Sequence, residues 1–153
     1  MCEPKGEIRV QSDCGSCWAF GATEVGSDRI CIATKGAYKP HLSAETLVAC
    51  CDDCGMGCSG GQPSAAFDYF VSTGAPSGGN YGDKRDKSGC QMYSLPWCDH
   101  HLQPGQKGIY SPCGASEFPT PSADSTSKVL MMIEIGTNSV VVCCWKLCFS
   151  NSN

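Results

Sequence analysis

The chain has 153 residues and a mass of 16.2 kDa, with 11 basic against 15 acidic side chains, a net charge of -4 and a pI near 5.2. That length is one ordinary domain, or one and part of a second, and the acidic balance excludes the basic face a nucleic-acid binder needs. With 41% hydrophobic and 17% charged residues it is neither a disordered tail nor a coiled coil, and no apolar run approaches the roughly 18 residues that span a bilayer. Neither nucleic acid nor membrane is an expected partner.

Fourteen cysteines place the chain near the density of a disulfide scaffold and imply an oxidising compartment. The start, Met1-Cys2-Glu3-Pro4-Lys5-Gly6-Glu7, is charged and has no apolar core segment of the kind a secretory signal carries. The expectation is therefore a piece of a longer precursor.

In chain order, residues 1–16 read as polar and turn-rich. A first helix is predicted from Cys17 to about Cys31, with no proline, apolar residues at four-residue spacings and Ser16 in place to cap it. A second starts at Ser43 with Glu45 in its first turn. A third follows Gly60-Gly61-Gln62, with Pro63 at the first helical position and Gly74 closing the end. From Gly74 to Pro121 glycine, proline, serine and aspartate dominate, which reads as long loops tied by cysteines. Apolar order returns at Lys128–Ile135, a short helix or strand, and Ser139–Phe149 reads as a strand.

Cys17 stands where a reactive thiol belongs. A helix start carries about half a positive charge and unpaired N–H groups, both of which favour a thiolate. If the loop before it folds back, the Gln11 amide and the Cys17 backbone N–H supply two donors for one oxygen, as an oxyanion hole in acyl transfer requires. By spacing alone, Cys17 is equally one more half-cystine. Likewise, His100-His101 on a polar loop reads as solvated surface. The run Cys50-Cys51-Asp52-Asp53-Cys54-Gly55-Met56-Gly57-Cys58 admits zinc, although no second C-x-x-C stands at finger-like distance and no H-x₃₋₅-H occurs.

The local strings narrow these choices. Cys14-Gly15-Ser16-Cys17-Trp18 is the papain/cathepsin nucleophile signature. The stretch Gly6–Ala22, together with Ser27-Asp28-Arg29-Ile30-Cys31-Ile32, Leu42-Ser43-Ala44-Glu45-Thr46-Leu47, Cys58-Ser59-Gly60-Gly61 and Tyr93-Ser94-Leu95-Pro96-Trp97-Cys98-Asp99-His100-His101, resembles the cathepsin B-like cysteine peptidases of the papain family. The resemblance covers roughly the first two-thirds of the chain.

It implies an α+β, papain-like fold: a mainly helical left domain over residues 1–127, with an occluding loop at about 90–113, and only the start of the β-rich right domain at 128–153. It implies Cys17 as nucleophile and Gln11 as oxyanion donor, with Gly60 and Gly61 lining the substrate groove. His100 and His101 would grip the terminal carboxylate of a substrate, giving peptidyl-dipeptidase beside endopeptidase action. The implied disulfides are Cys2–Cys31, Cys14–Cys58, Cys51–Cys54 and Cys98–Cys113, which leaves Cys50 and Cys90 without partners. The implied partners are peptide or protein substrates and cystatin-like inhibitors, with no cofactor and no metal, in a precursor that is lysosomal or secreted.

Three departures qualify the expectation. Val10 stands where the family has an aspartate that pairs with the first histidine of the loop, which predicts a looser loop and more endopeptidase character. The Cys51 to Cys54 interval is one residue shorter than usual. Beyond His41, His100 and His101 there is no histidine to act as base, and Asn151-Ser152 lacks the tryptophan that follows the family's orienting asparagine. A non-catalytic relative that binds peptides or inhibitors is the alternative.

Overall fold

A computed structural model describes residues 8–82, 90–114, 121, 130–132 and 141–143, the last two segments as backbone. Three helices carry the core: α1 (Cys17–Ala33), α2 (Ala44–Cys50) and α3 (Pro63–Ser72). Helix α1 buries Trp18, Ala19, Phe20 and Ala22 in the core shared with the other two helices, and Ile30 with Leu42 and Ala75 in a second cluster towards its C-terminal end. Gly26 permits the close approach of Leu42, whose Cδ1 would lie 2.7 Å from an added Cβ. The helix ends where Thr34 N–H returns to Ile30 O and Gly36, at φ 82°, donates to Cys31 O.

Helix α2 is short, and Ala44 through Val48 are all buried, so it has almost no solvent face. Ser43 caps it by accepting the Thr46 N–H at 3.1 Å while donating to Gln91 O at 2.9 Å. A 3₁₀ turn, Asp52–Cys54, leads towards α3, which opens on Pro63 and closes at Gly74, where φ is 87° and the N–H returns to Tyr69 O.

The segment after α3 departs from the loop expectation. Residues 74–80 are buried, and β1 (Gly78–Gly79) pairs in parallel with β2 (Gln91–Met92). The buried backbone is satisfied at long range: Ser43 N–H donates to Pro76 O at 2.9 Å and Gly78 N–H to His41 O at 2.6 Å. A Cβ on Gly78 would sit 2.6 Å from both Gln91 O and Ser43 Cα, so the strands cross too tightly for any side chain. Near the C-terminus, β3 (Leu130–Met132) and β4 (Val141–Cys143) form an antiparallel pair.

Disulfides join Cys14 to Cys58, Cys51 to Cys54 and Cys98 to Cys113. Cys31 is also disulfide-bonded, while Cys2 lies outside the described residues. Cys50 is disulfide-bonded too, which corrects the expectation that it stands without a partner. Among the described residues no helix is long and apolar enough to cross a membrane.

Candidate active site

Cys17 is the first residue of α1, and its thiol is free and exposed. Three devices hold it there. Cys14 is bonded to Cys58, Gly15 N–H donates to Cys58 O at 2.7 Å, and Ser16 O accepts from Ala19 N–H at 2.9 Å and Phe20 N–H at 3.1 Å. A Cβ at Gly15 would lie 2.5 Å from Cys58 O, so only glycine lets the two chains pass this closely.

The Ser16 side chain makes no capping bond, contrary to the expected helix cap. Its hydroxyl is fully buried and instead meets the Tyr93 hydroxyl at 2.9 Å. Tyr93 in turn donates to Gln11 O at 2.9 Å. The Gln11 side chain lies along the same loop, with Nε2 donating to Cys14 O at 2.9 Å. An amide nitrogen has two protons, so this bond leaves one for another acceptor. At Ser12 the backbone takes φ 61°, and the Ser12 hydroxyl donates to Pro96 O. The Gln11 loop is thus pinned to the 93–96 segment at two points.

Gly60 and Gly61 follow the Cys14–Cys58 bond and play different parts. Gly61 is packed, since an added Cβ would fall 2.5 Å from the Trp18 indole and 2.8 Å from Cys54 O. It forms an antiparallel bridge with Gly55, flanked by Met56 N–H to Gly60 O at 2.8 Å and Gln62 N–H to Cys54 O at 2.7 Å. In this non-hydrogen-bonded pairing the Gly61 N–H and C=O point away from the 54–56 strand. Gly60 takes φ 107° with nothing within 4 Å of an added Cβ. The indole N–H of Trp18 donates to Gly57 O at 3.1 Å, tying this strip to the second residue of α1.

His100 and His101 are both exposed, with ring centroids 6.0 Å apart and His101 at φ 59°. Their loop is closed by the Cys98–Cys113 bond and by paired backbone bonds, Asp99 N–H to Ser111 O at 2.9 Å and Cys113 N–H to Asp99 O at 3.0 Å. The Asp99 carboxylate accepts the Tyr110 N–H at 2.7 Å, and Tyr110 sits edge-on to Trp97. His41 lies elsewhere, ahead of α2, with its carbonyl committed to Gly78.

Sulfur ligation of a metal does not fit these cysteines. Cys50, Cys51, Cys54 and Cys58 are all oxidised, and so are Cys98 and Cys113 beside His100, whereas zinc requires thiolates.

Two buried ionisable side chains that no local motif marks support the site from behind. Arg9 Nη1 donates to Leu42 O at 3.1 Å and Glu24 Oε1 at 3.1 Å, and the guanidinium lies over the Phe20 ring. Glu45 is fully buried; its Oε2 accepts the Ser94 N–H at 3.2 Å, and Oε1 has no hydrogen-bond partner among the described residues. Burial pushes the Glu45 carboxyl above its ordinary range, with the Ser94 bond pulling partly back. The available signal was the flanking residues: Ala44, Leu47 and Val48 make a seven-residue helix apolar nearly all round, so an acid within it is forced inside.

An exposed thiol opening a helix packed into the core, an amide-bearing loop folded beside it and a glycine strip disulfide-bonded to that loop define a thiol-peptidase frame. The family model for papain family cysteine proteases matches residues 3–146, and the chain belongs to that family. It is 47% identical over 125 residues to a cathepsin B-like cysteine proteinase of Schistosoma japonicum, covering 82% of this chain and 34% of that protein. It is 46% identical over 123 residues to cathepsin B-like cysteine proteinase 6 of Caenorhabditis elegans, covering 80% of this chain and 31% of that protein. Among solved structures, procathepsin B S9 from Trypanosoma congolense superposes with a TM-score of 0.57 at 29% identity, covering 92% of this chain and 35% of that one. The chain thus spans about a third of the length of these relatives, and its fold is papain-like.

Proposed function

We propose that the chain is the nucleophile-bearing part of a cathepsin B-type cysteine peptidase. Cys17 attacks a peptide carbonyl, the Gln11 amide and the Cys17 N–H hold the resulting oxyanion, the C–N bond breaks with departure of the protonated amine, and water hydrolyses the acyl-enzyme to the free acid and the thiol. The observation that carries this reading is the free, exposed Cys17 thiol at the first position of α1, among cysteines otherwise largely bonded. The outward-facing Gly61 N–H and C=O supply an edge on which an extended peptide can lie as an added strand. In this reading residues 1–127 form the left domain, and 128–153 begin the β-rich part.

His100 and His101, exposed on the disulfide-closed loop, are the groups to take a substrate's C-terminal carboxylate through their ring N–H groups. Val10 offers that loop no carboxylate anchor, so endopeptidase action gains relative to dipeptide release. Substrates are peptides or proteins, cystatin-like inhibitors compete for the same groove, and the working compartment is lysosomal or secreted. No histidine of this sequence is assigned as the catalytic base, and these 153 residues alone are expected to turn over very slowly.

The test is labelling with a peptidyl epoxide at mildly acidic pH, read by peptide mass mapping. Stoichiometric adduct at Cys17, lost in Cys17→Ala and competed by peptide, supports the reading. Labelling spread over several cysteines, or none, overturns it.

A further inference from the structure

Tyr93 closes a ring of hydrogen bonds around the Gln11 loop. Its single proton goes to Gln11 O at 2.9 Å, so the Ser16 hydroxyl must donate to it, also at 2.9 Å. From Ser16 the ring continues through its N–H to Cys14 O at 2.8 Å, and the same carbonyl accepts Gln11 Nε2 at 2.9 Å. Four residues, Gln11, Cys14, Ser16 and Tyr93, thus lock one another. Three belong to the loop that ends at Cys17, and the fourth comes from about eighty residues away.

Tyr93 is the fixed member. Its ring is 2% exposed and packs edge-on against Phe20, with centroids 4.9 Å apart. Its own N–H is bonded to Gly79 O at 3.1 Å, and the next N–H is held by Glu45. The hydroxyl therefore cannot follow the loop; the loop must follow the hydroxyl. Burial raises its pKa to about 12, so the proton stays on the oxygen throughout any range in which a peptidase operates.

We propose that Tyr93 is a positioning residue for the oxyanion site, its hydroxyl setting where the Gln11 amide stands relative to Cys17 by tying the Gln11 carbonyl to the Ser16 hydroxyl at the start of α1. This rests on the peptidase reading above. Ser16 gives up its helix-capping bond to serve this ring, which is the local cost of the arrangement.

Two probes of Cys17 separate positioning from general loosening. A peptidyl aldehyde adds reversibly to the thiol: the S–C bond forms, the carbonyl π bond opens, the thiol proton passes to the new oxygen, and that oxygen occupies the oxyanion site. Iodoacetamide alkylates the same thiol with loss of iodide and a proton, and its displacement develops no oxyanion. In the full 153-residue chain, Tyr93→Phe is expected to weaken aldehyde binding about fivefold and leave the alkylation rate unchanged. Gln11→Ala is expected to weaken aldehyde binding at least as much, and the double variant no further than Gln11→Ala, because Tyr93 acts through Gln11. Ser16→Ala, which keeps the Tyr93–Gln11 bond, should weaken it less. Loss of aldehyde binding in Gln11→Ala but not in Tyr93→Phe overturns the positioning role, as does an equal fall in alkylation and aldehyde binding in Tyr93→Phe. Aldehyde binding insensitive to Gln11→Ala, or independent of Cys17, removes the peptidase reading and this inference with it.

Discussion

The guanidinium carbon of Arg9 lies 4.8 Å from the centroid of the Phe20 ring, and Nη1 of the same side chain donates to the Leu42 carbonyl. One cation thus joins the segment before the nucleophile loop, the first turn of α1 and the chain entering α2. Its ionic partner is far less committed: the Arg9 side chain is 4% exposed, whereas Glu24 is 54% exposed. An ion pair open to water on one side contributes little, while a buried donor serving a carbonyl and a ring contributes more. Arg9→Ala is accordingly expected to cost about 2 kcal/mol and Glu24→Gln less than about 1 kcal/mol, measured by urea unfolding. Equal costs would show that the salt bridge, and not the buried contacts, carries the energy.

The pH dependence of stability should carry a signature of Glu45. Burial raises the folded-state carboxyl pKa above its ordinary value of 4.5, so across the interval above that value the folded chain holds a proton that the unfolded chain has released. This group therefore contributes stability that is fully present below the unfolded pKa and is lost as pH rises through the folded one. The melting temperature of Glu45→Gln is expected to decline less than that of the parent between pH 4 and neutrality. The amide oxygen can still accept the Ser94 N–H, so the fold is retained. A parent and variant with parallel profiles would remove Glu45 from the account.

The α1 glycines divide sharply. An added Cβ at Gly21 meets nothing within 4 Å, whereas at Gly26 it would come within 2.7 Å of Leu42 Cδ1 and 3.4 Å of the Phe70 ring. Gly21→Ala should stabilise by about 0.5–1 kcal/mol through helix propensity alone. Gly26→Ala should lose that gain and about 1–3 kcal/mol more to overpacking. Thermal melts of the two variants, run side by side, decide the matter by sign.

Removing the disulfides should scale with the chain they close. Cys14–Cys58 spans a separation of 44 residues and Cys98–Cys113 one of 15. In the chain-entropy account the first contributes about 4 kcal/mol and the second about 3 kcal/mol. Paired serine substitutions at Cys98 and Cys113 are expected to raise amide exchange chiefly within residues 99–112 while leaving the helical core protected. Exchange spreading into α1 would mean that the histidine loop supports the core and does not merely rest on it.

Local signals carried much of the helical frame. Pro63 opens α3 and Gly74 closes it because each conformational demand lies within a residue or two of the residue that meets it. Ser43 caps α2 for the same reason. Ser16 occupies an equivalent position and does not cap, since a tyrosine 77 residues away claims its hydroxyl, and no local pattern encodes that. The 74–80 segment looks like surface loop in composition, yet its backbone is buried because partners at His41, Ser43 and Gln91 satisfy it. At the site, Cys17 announced itself through its string. The supporting roles of Arg9, Glu45 and Tyr93 depend on partners 11 to 82 residues distant and were invisible for that reason.

Cys14 and Cys17 are separated by two residues, the spacing at which neighbouring thiols readily form a small-ring disulfide. By engaging Cys14, Cys58 withholds from Cys17 its nearest oxidative suitor. The bond thus guards the reactivity of Cys17 as well as bracing the loop that carries it: while it stands, the thiol nearest in sequence is committed elsewhere.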